Sequence, residues 1–499
     1  MERKTIQQAL ILGIGQLTGK ILSLIFLFRF ANDLGSSGLT LYTYAYIPFS
    51  IFADLSAFGL IPGTSKAISR LIADNEKEKA YYLLKKGTFV CLAIGMIFFL
   101  FMLFFSRQIL SVSLFEGVEH ASFEQIRGNL LWASISLFVI PLLHFSKGFL
   151  QGFMKMYPSC FAIILENLVR VVLYIVFIPH IKQPNDIIHT VFLISFSGYG
   201  SSLLFILFFT FRYYRKKKQK FKAITYLYKI AIPYGCTTMF FTIYQLVDSI
   251  TLSILLPKEG YYTAYMFETV RLIFFPIVLA QALGGALNPR INYLYQDKKE
   301  KEAAVLSKKC TSLILYILIP LILIMKYFSD EIYHLFYSQE NGALIFYHIS
   351  DLILFFGLYK VLIGISLGLP RAHYMVIATL LSGVAKYLLN VALIGSLEYR
   401  GAIYATEIAT GICILASYYV LKKEGIRLFV ANLKSCLKGI LYGVFSLLIV
   451  IFVRLFFSLR HYAQYYQILL YALLFFGLYA LFLCFPSSSK TKDKTLDPA

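Results

Sequence analysis

Apolar residues run through this chain in about fourteen blocks, each long enough to cross a bilayer and each bounded by a polar connection. A window of about 20 apolar residues places them near 7–31, 41–65, 87–106, 128–150, 157–180, 187–211, 225–256, 262–288, 311–328, 343–369, 374–395, 401–421, 437–458 and 466–485. Hydrocarbon offers a backbone no hydrogen-bond partner, so each block is expected to be a helix. The pattern predicts an all-α polytopic membrane protein with about 14 transmembrane helices. The first block is too long for a signal-peptide core and lacks a small-residue cleavage site, so it should stay as an anchor.

The polar connections alternate in charge. Arg3 and Lys4, the stretch 66–86, the run Arg212-Tyr-Tyr-Arg215-Lys-Lys-Lys218, the stretches 290–309 and 422–438, and the tail 490–494 are rich in cations. Those between them, such as 32–40, 181–186, 257–261 and 396–400, are short and nearly free of Lys and Arg. The positive-inside rule then puts both termini in the cytoplasm.

The blocks also repeat. Leu83-Leu-Lys-Lys-Gly-Thr88 recurs as Leu306-Ser-Lys-Lys-Cys-Thr311, and Phe105-Ser-Arg-Gln-Ile109 as Phe328-Ser-Asp-Glu-Ile332. Gly148-x-x-x-Gly152 recurs as Gly364-x-x-x-Gly368, which sets Arg170 against Lys386. The shift is roughly 220 residues, or six helices, so the halves share one orientation. We expect two parallel six-helix lobes around a central cavity, 1–211 and 225–422, joined by a basic linker at 212–224. Two further helices at 423–486 and a cytoplasmic tail at 487–499 complete the chain.

Composition narrows the function. The chain is 59% hydrophobic and only 15% charged, whereas soluble domains carry roughly a quarter charged residues. A net charge of +21 would suggest nucleic acid in a soluble protein, but these cations cluster in the connections, so topology explains them. The seven cysteines form no CxxC pair or Cys/His cluster, which argues against disulfides and zinc. Trp132 is the single tryptophan, leaving the 37 tyrosines to supply the interfacial belt. No Walker A sequence, HExxH or GxSxG occurs, so neither ATP hydrolysis nor these catalytic chemistries are expected. Pro48, Pro62, Pro233, Pro276 and Pro320 inside the blocks are expected to kink helices.

Charges inside the apolar blocks are the candidate chemistry, because an ionisable group at membrane depth normally faces a cavity or a partner. Lys20 sits mid-block with no acid within a turn, and Arg29 lies nearer the outer end. Glu166 and Arg170 are spaced i,i+4, and Glu268 and Arg271 i,i+3, so each pair is expected to share a helix face. Asp54, Asp248, Asp351, Lys360, Lys386 and Glu407 complete the set. Lys386 has no acid in register, which favours a cavity role, while Asp54 and Asp248 are candidate cation partners or ion ligands.

Several of these motifs resemble a known family. Thr18-Gly-Lys-Ile-Leu22 with Leu34-Gly35, the stretch Gly148-Phe-Leu-Gln-Gly-Phe-Met-Lys-Met-Tyr-Pro158 followed by Glu166 and Arg170, Gln245-Leu-Val-Asp248, and Arg271-Leu-Ile-Phe-Phe-Pro276 are similar to motifs of the multidrug/oligosaccharidyl-lipid/polysaccharide (MOP) exporters. Within them the chain resembles the MurJ-type lipid II flippases of the Gram-positive branch, close to the spore-cortex and polysaccharide-biosynthesis proteins. The resemblance implies a V-shaped cationic cavity lined by helices 1, 2, 7 and 8, and a lipid-tail groove on helices 13 and 14. It sets Lys20 and Arg271 at substrate-binding cations, with Phe26 standing where a further arginine occurs. Lys66 and Arg29 are the candidates to replace that arginine, and Glu268 joins the binding set.

The implied substrate is an undecaprenyl-pyrophosphate-linked glycan, foremost lipid II, flipped across a bacterial plasma membrane without ATP. The membrane potential or a coupled Na+ or H+ would drive it, with Asp54, Asp248, Glu166, Arg170 and Lys386 as coupling groups or ion pairs. Membrane lipids and cell-wall synthesis proteins are the implied partners. The alternatives are a flippase for capsule- or teichoic-type units and, behind it, a cation-coupled drug exporter.

Overall fold

Because each span must close its own hydrogen bonds in lipid, the hydrophobic blocks become helices nearly end to end. The computed structural model describes residues 2–113, 120–213, 222–256, 259–296, 298–337, 342–369, 371, 373–456 and 464–484, and no strand occurs among them. Six spans form the first half: α1 (Ile11–Gly35), α2 (Ser37–Ala73), α3 (Lys77–Ser111), α4 (Ser122–Gly152), α5 (Met156–His180) and α6 (Pro184–Tyr213). In the second half, α7 is a bent pair (Ala223–Thr238 and Phe240–Leu255), followed by α8 (Tyr261–Gly285) and α9 (Glu300–Tyr327). Next come α10 (Gly342–Ile349 and Leu352–Leu367), α11 (His373–Leu397) and α12 (Tyr399–Lys423). Last are α13 (Phe429–Leu455) and α14 (Tyr466–Leu483). Twelve of the fourteen expected blocks coincide with single spans, and the other two with the bent pairs α7 and α10. Most of the basic linker (214–221), residues 114–119 between α3 and α4, and the tail (487–499) lie outside the described residues.

The breaks fall where the backbone permits them. Gly35, at φ 64° and ψ −177°, separates α1 from α2. Inside α2, Gly59 takes the left-handed conformation at φ 60°, and a Cβ there would lie 2.5 Å from the Ala231 carbonyl oxygen. The bends of 51° in α7 and 41° in α10 fall at Met239 and at Ser350–Asp351, not at a proline. Pro48 and Pro320 lie inside helices that continue on both sides of them. The two largest bends therefore fall away from the five prolines expected to kink helices. Ala264–Thr269, at the start of α8, is a π-helical turn.

Glycines set the closest contacts. A Cβ on Gly148 of α4 would meet the Ile61 carbonyl of α2 at 2.6 Å, and one on Gly364 of α10 would clash with the Gly284 carbonyl of α8. The sequence repeat thus recurs as a repeated helix contact, α4 on α2 and α10 on α8.

The two halves meet at both ends. Where α1 begins, Gly63 of α2 abuts Ala231 of α7, and Lys66 donates to the Tyr234 hydroxyl at 2.7 Å. At the opposite end Tyr44 stacks on Tyr262 with centroids 4.7 Å apart. The outer faces are apolar: Phe89, Leu204 and Leu455 are each more than 70% exposed, as a surface meeting acyl chains requires. α13 lies on α9, with Gly439 and Gly443 facing Ile319 and Leu323.

Candidate substrate cavity

The protein holds a cavity of about 60 Å³, walled by α1, α2, α4, α5, α6 and α8. Two of its lining residues are arginines, Arg170 from α5 and Arg271 from α8, and the rest are mostly aromatic or hydroxyl-bearing. Each arginine lies near the middle of its span. Lys20, at the same depth on α1, is within electrostatic range of both. Three cations from three helices therefore converge at mid-bilayer depth.

Aromatic faces hold two of them in place. The Arg271 guanidinium sits 4.0 Å from the Phe267 ring centroid and 4.7 Å from that of Tyr46. Arg170 lies 4.5 Å from the Tyr199 ring. A planar guanidinium over a ring is fixed in orientation while its edge stays free for hydrogen bonds. Neither Lys20 nor Arg271 has a carboxylate within ion-pair distance among the described residues. Like charges in a poorly hydrated site repel, so the arrangement favours an incoming anion.

Arg170 does have a carboxylate. Its Nη2 donates to Glu166 Oε1 at 2.9 Å, as the i,i+4 spacing predicts. Sequence reasoning missed Lys147 of α4, whose Nζ reaches Glu166 Oε2 at 3.3 Å. Lys147 belonged to the same inventory of charges inside apolar blocks, so the signal was present.

The other candidates lie elsewhere. Glu268 does not pair with Arg271; it accepts a hydrogen bond from the Tyr333 hydroxyl and is fully buried. The i,i+3 expectation presumes a 3.6-residue period, and the π-helical turn over Ala264–Thr269 alters the offset just before Arg271. Arg29 pairs with Asp33 at 3.2 Å with its side chain 65% exposed, away from the cavity. Lys66 serves the contact with Tyr234, and its ammonium lies 4.9 Å from that ring. Phe26 does line the cavity, packing edge-on against Tyr174 of α5 at 5.1 Å.

Asp54 accepts a hydrogen bond from Thr242 of α7 at 2.7 Å, and Lys360 of α10 is within electrostatic range, so this acid joins the halves. Asp248 and Lys386 form a buried ion pair at 2.7 Å, extended by Asn390 Nδ2, which donates to Asp248 at 2.9 Å, and by Thr406, which accepts from Lys386. The expectation that Lys386 lacks an acid and faces a cavity is thus not met. Its acid comes from α7, a helix that register along α11 does not reveal. Among the described residues, no group of three His, Cys, Asp or Glu side chains could hold a metal ion.

Residues 5–294, more than half of the chain, match the family model described as polysaccharide biosynthesis protein. The chain is 24% identical over 465 residues to the lipid II flippase MurJ of Bacillus subtilis (strain 168), covering 85% of this chain and 84% of that protein. Its fold is similar to a solved lipid II flippase MurJ in an inward closed conformation, with a TM-score of 0.69, 17% identity, and coverage of 95% of this chain and 98% of that one. It is also similar to an outward-facing multidrug resistance MATE family transporter of the MOP superfamily, with a TM-score of 0.66, 14% identity, and coverage of 84% and 96%.

Proposed function

Because the chain belongs to the polysaccharide biosynthesis protein family of the MOP superfamily, and so is a multi-pass membrane transporter and not an enzyme, we propose that it flips a diphosphate-linked lipid glycan, foremost lipid II, from the inner to the outer leaflet. The observation that carries this reading is that Arg271 lines the cavity with Lys20 near it, neither with a carboxylate within ion-pair distance among the described residues. A pyrophosphate offers several charged oxygens, and guanidinium and ammonium groups are its natural partners. A drug exporter for organic cations would need the opposite polarity.

In this reading residues 1–211 and 225–422 act as two lobes that rock about the cavity, with both termini in the cytoplasm. The contact of Gly63 with Ala231 and that of Tyr44 with Tyr262 are the inner and outer gates, opened in turn. α13 and α14 flank α9 and provide the groove for the lipid tail. Moving net negative charge out of an inside-negative cell is favoured by roughly 2.3 kcal/mol per charge per 100 mV, so the potential can drive the cycle. A flippase for another lipid-linked repeat unit is the second reading; Phe26, standing where a further cation is implied, favours a headgroup held differently.

The test uses purified protein in vesicles loaded with fluorescent lipid II. Lys20→Ala and Arg271→Ala are each expected to lower the flipping rate by roughly 10- to 100-fold, the effect of removing one charge-assisted hydrogen bond, without loss of thermal stability. Wild-type rates in both variants would defeat the reading. Flipping of a different diphosphate-linked glycan in place of lipid II would select the second reading.

A further inference from the structure

Arg170 belongs to two environments at once. Its guanidinium lines the same cavity as Arg271, and Lys20 feels the charge of both. Behind it, Glu166 uses one carboxylate oxygen for Arg170 and the other for Lys147. Side-chain exposure rises along this row, from 6% at Lys147 through 13% at Glu166 to 18% at Arg170. Lys147 is the sealed end, and Arg170 is the end open to the cavity.

A structural ion pair would need only one cation for one carboxylate. This row has two, and the excess charge sits on the cavity side. Glu166 engages only Nη2 of Arg170, while Nε is buried with no hydrogen-bond partner among the described residues. The Tyr199 ring supports the guanidinium plane, so the group can exchange partners within its own plane. Phe26 of α1 packs against Tyr174, one turn beyond Arg170 on α5. An arginine from α5 thus comes to the wall where α1 presents an aromatic ring.

Building on the reading proposed above, we propose that Arg170 is a third substrate-binding cation, that a diphosphate headgroup displaces Glu166 from it, and that Lys147 is the positioning residue that keeps Glu166 neutralised meanwhile. Without the headgroup, Glu166 holds Arg170 and tempers the repulsion among the three cations. With the headgroup bound, Arg170 turns to the phosphates and Glu166 stays on Lys147. A carboxylate left alone at this depth would resist the exchange, since a buried charge without a partner is strongly unfavourable. Lys147 removes that obstacle.

The proposal predicts a specific pattern of rescue. The probes are a fluorescent polyprenyl-diphosphate sugar in lipid nanodiscs holding the full chain, and inorganic pyrophosphate as competitor. Arg170→Met is expected to weaken probe binding by about 10-fold or more, the usual weight of a charge-assisted hydrogen bond. Lys147→Met leaves Arg170 as the one ion-pair partner of Glu166 among the described residues, and should weaken binding comparably. Glu166→Gln alone should bind at least as tightly as wild type yet flip more slowly, because Arg170 no longer lets go. The double variant Lys147→Met with Glu166→Gln buries no lone charge and should recover binding to within about 3-fold, a coupling that independent sites would not show.

If Arg170→Met binds like wild type, or if the double variant stays as weak as Lys147→Met, Arg170 is a structural residue and the proposal falls. In that event, continued loss of binding in Lys20→Ala and Arg271→Ala would leave the flippase reading standing; loss in none of the three would remove both. Competition by inorganic pyrophosphate at concentrations near those of the lipid probe would mean that the site takes free diphosphate, and would also overturn the lipid-linked assignment.

Discussion

Arg170 of α5 and Lys386 of α11 stand at equivalent places in the two repeated halves, and their surroundings have diverged. In the first half, the cation opens on the cavity and shares Glu166 with Lys147. In the second half, the cation is fully buried, paired with Asp248 and held by Thr406 within a cluster that Asn390 completes. The residue in register with Glu166 is Ser382, which turns its hydroxyl to the Thr379 carbonyl of its own helix. The acid has moved from the same helix to a neighbouring one. Corresponding positions of the two halves can keep their charge while the partner changes, and the partner decides between a responsive group and a rigid one.

The largest expected difference between these clusters is in stability. Lys386→Met leaves Asp248 buried without its cation, and should destabilise the protein by roughly 3–5 kcal/mol, read as a lower unfolding temperature in detergent. Adding Asp248→Asn should return most of that loss. Arg170→Met should cost far less stability and far more transport. Equal destabilisation by both single variants would erase the contrast.

A smaller effect is expected at the contact between the halves. A side chain at Gly63 would meet the Ala231 backbone at 2.5 Å, so Gly63→Val should cost roughly 1–3 kcal/mol through overpacking. It should also hold the halves apart where α1 begins, seen as higher reactivity of a cysteine placed at Tyr234. Unchanged labelling there would show that this contact is not a gate. The smallest effect belongs to Lys66, whose hydrogen bond to Tyr234 is worth roughly 0.5–1.5 kcal/mol. Lys66→Met should leave lipid binding within about 2-fold of wild type, whereas a loss like that of Lys20→Ala would return Lys66 to the binding set.

The spans, the cations within them and the repeat were all legible in the sequence. Apolar length determines what must be helical in lipid, and like motifs at offsets of roughly 220 residues suggest a repeat without coordinates. Lys20 and Arg271 were legible too, because an isolated charge in an apolar block demands a reason. The partners were not. Register along one helix revealed Glu166 for Arg170, but could not reveal Lys147 across a helix interface, or Asp248 for Lys386.

The sequence by itself therefore determined the helical spans, the membrane class and the number of charges carried to mid-depth. Tertiary structure alone decided which of those charges are neutralised and which face open volume. It turned Glu268 toward Tyr333 through a π-helical turn, sent Arg29 and Lys66 to contacts outside the cavity, and brought Arg170 beside Arg271. The physical reason is range: helix formation follows from local hydrogen bonds and burial, whereas charge compensation depends on distances of a few ångströms between segments far apart in the chain.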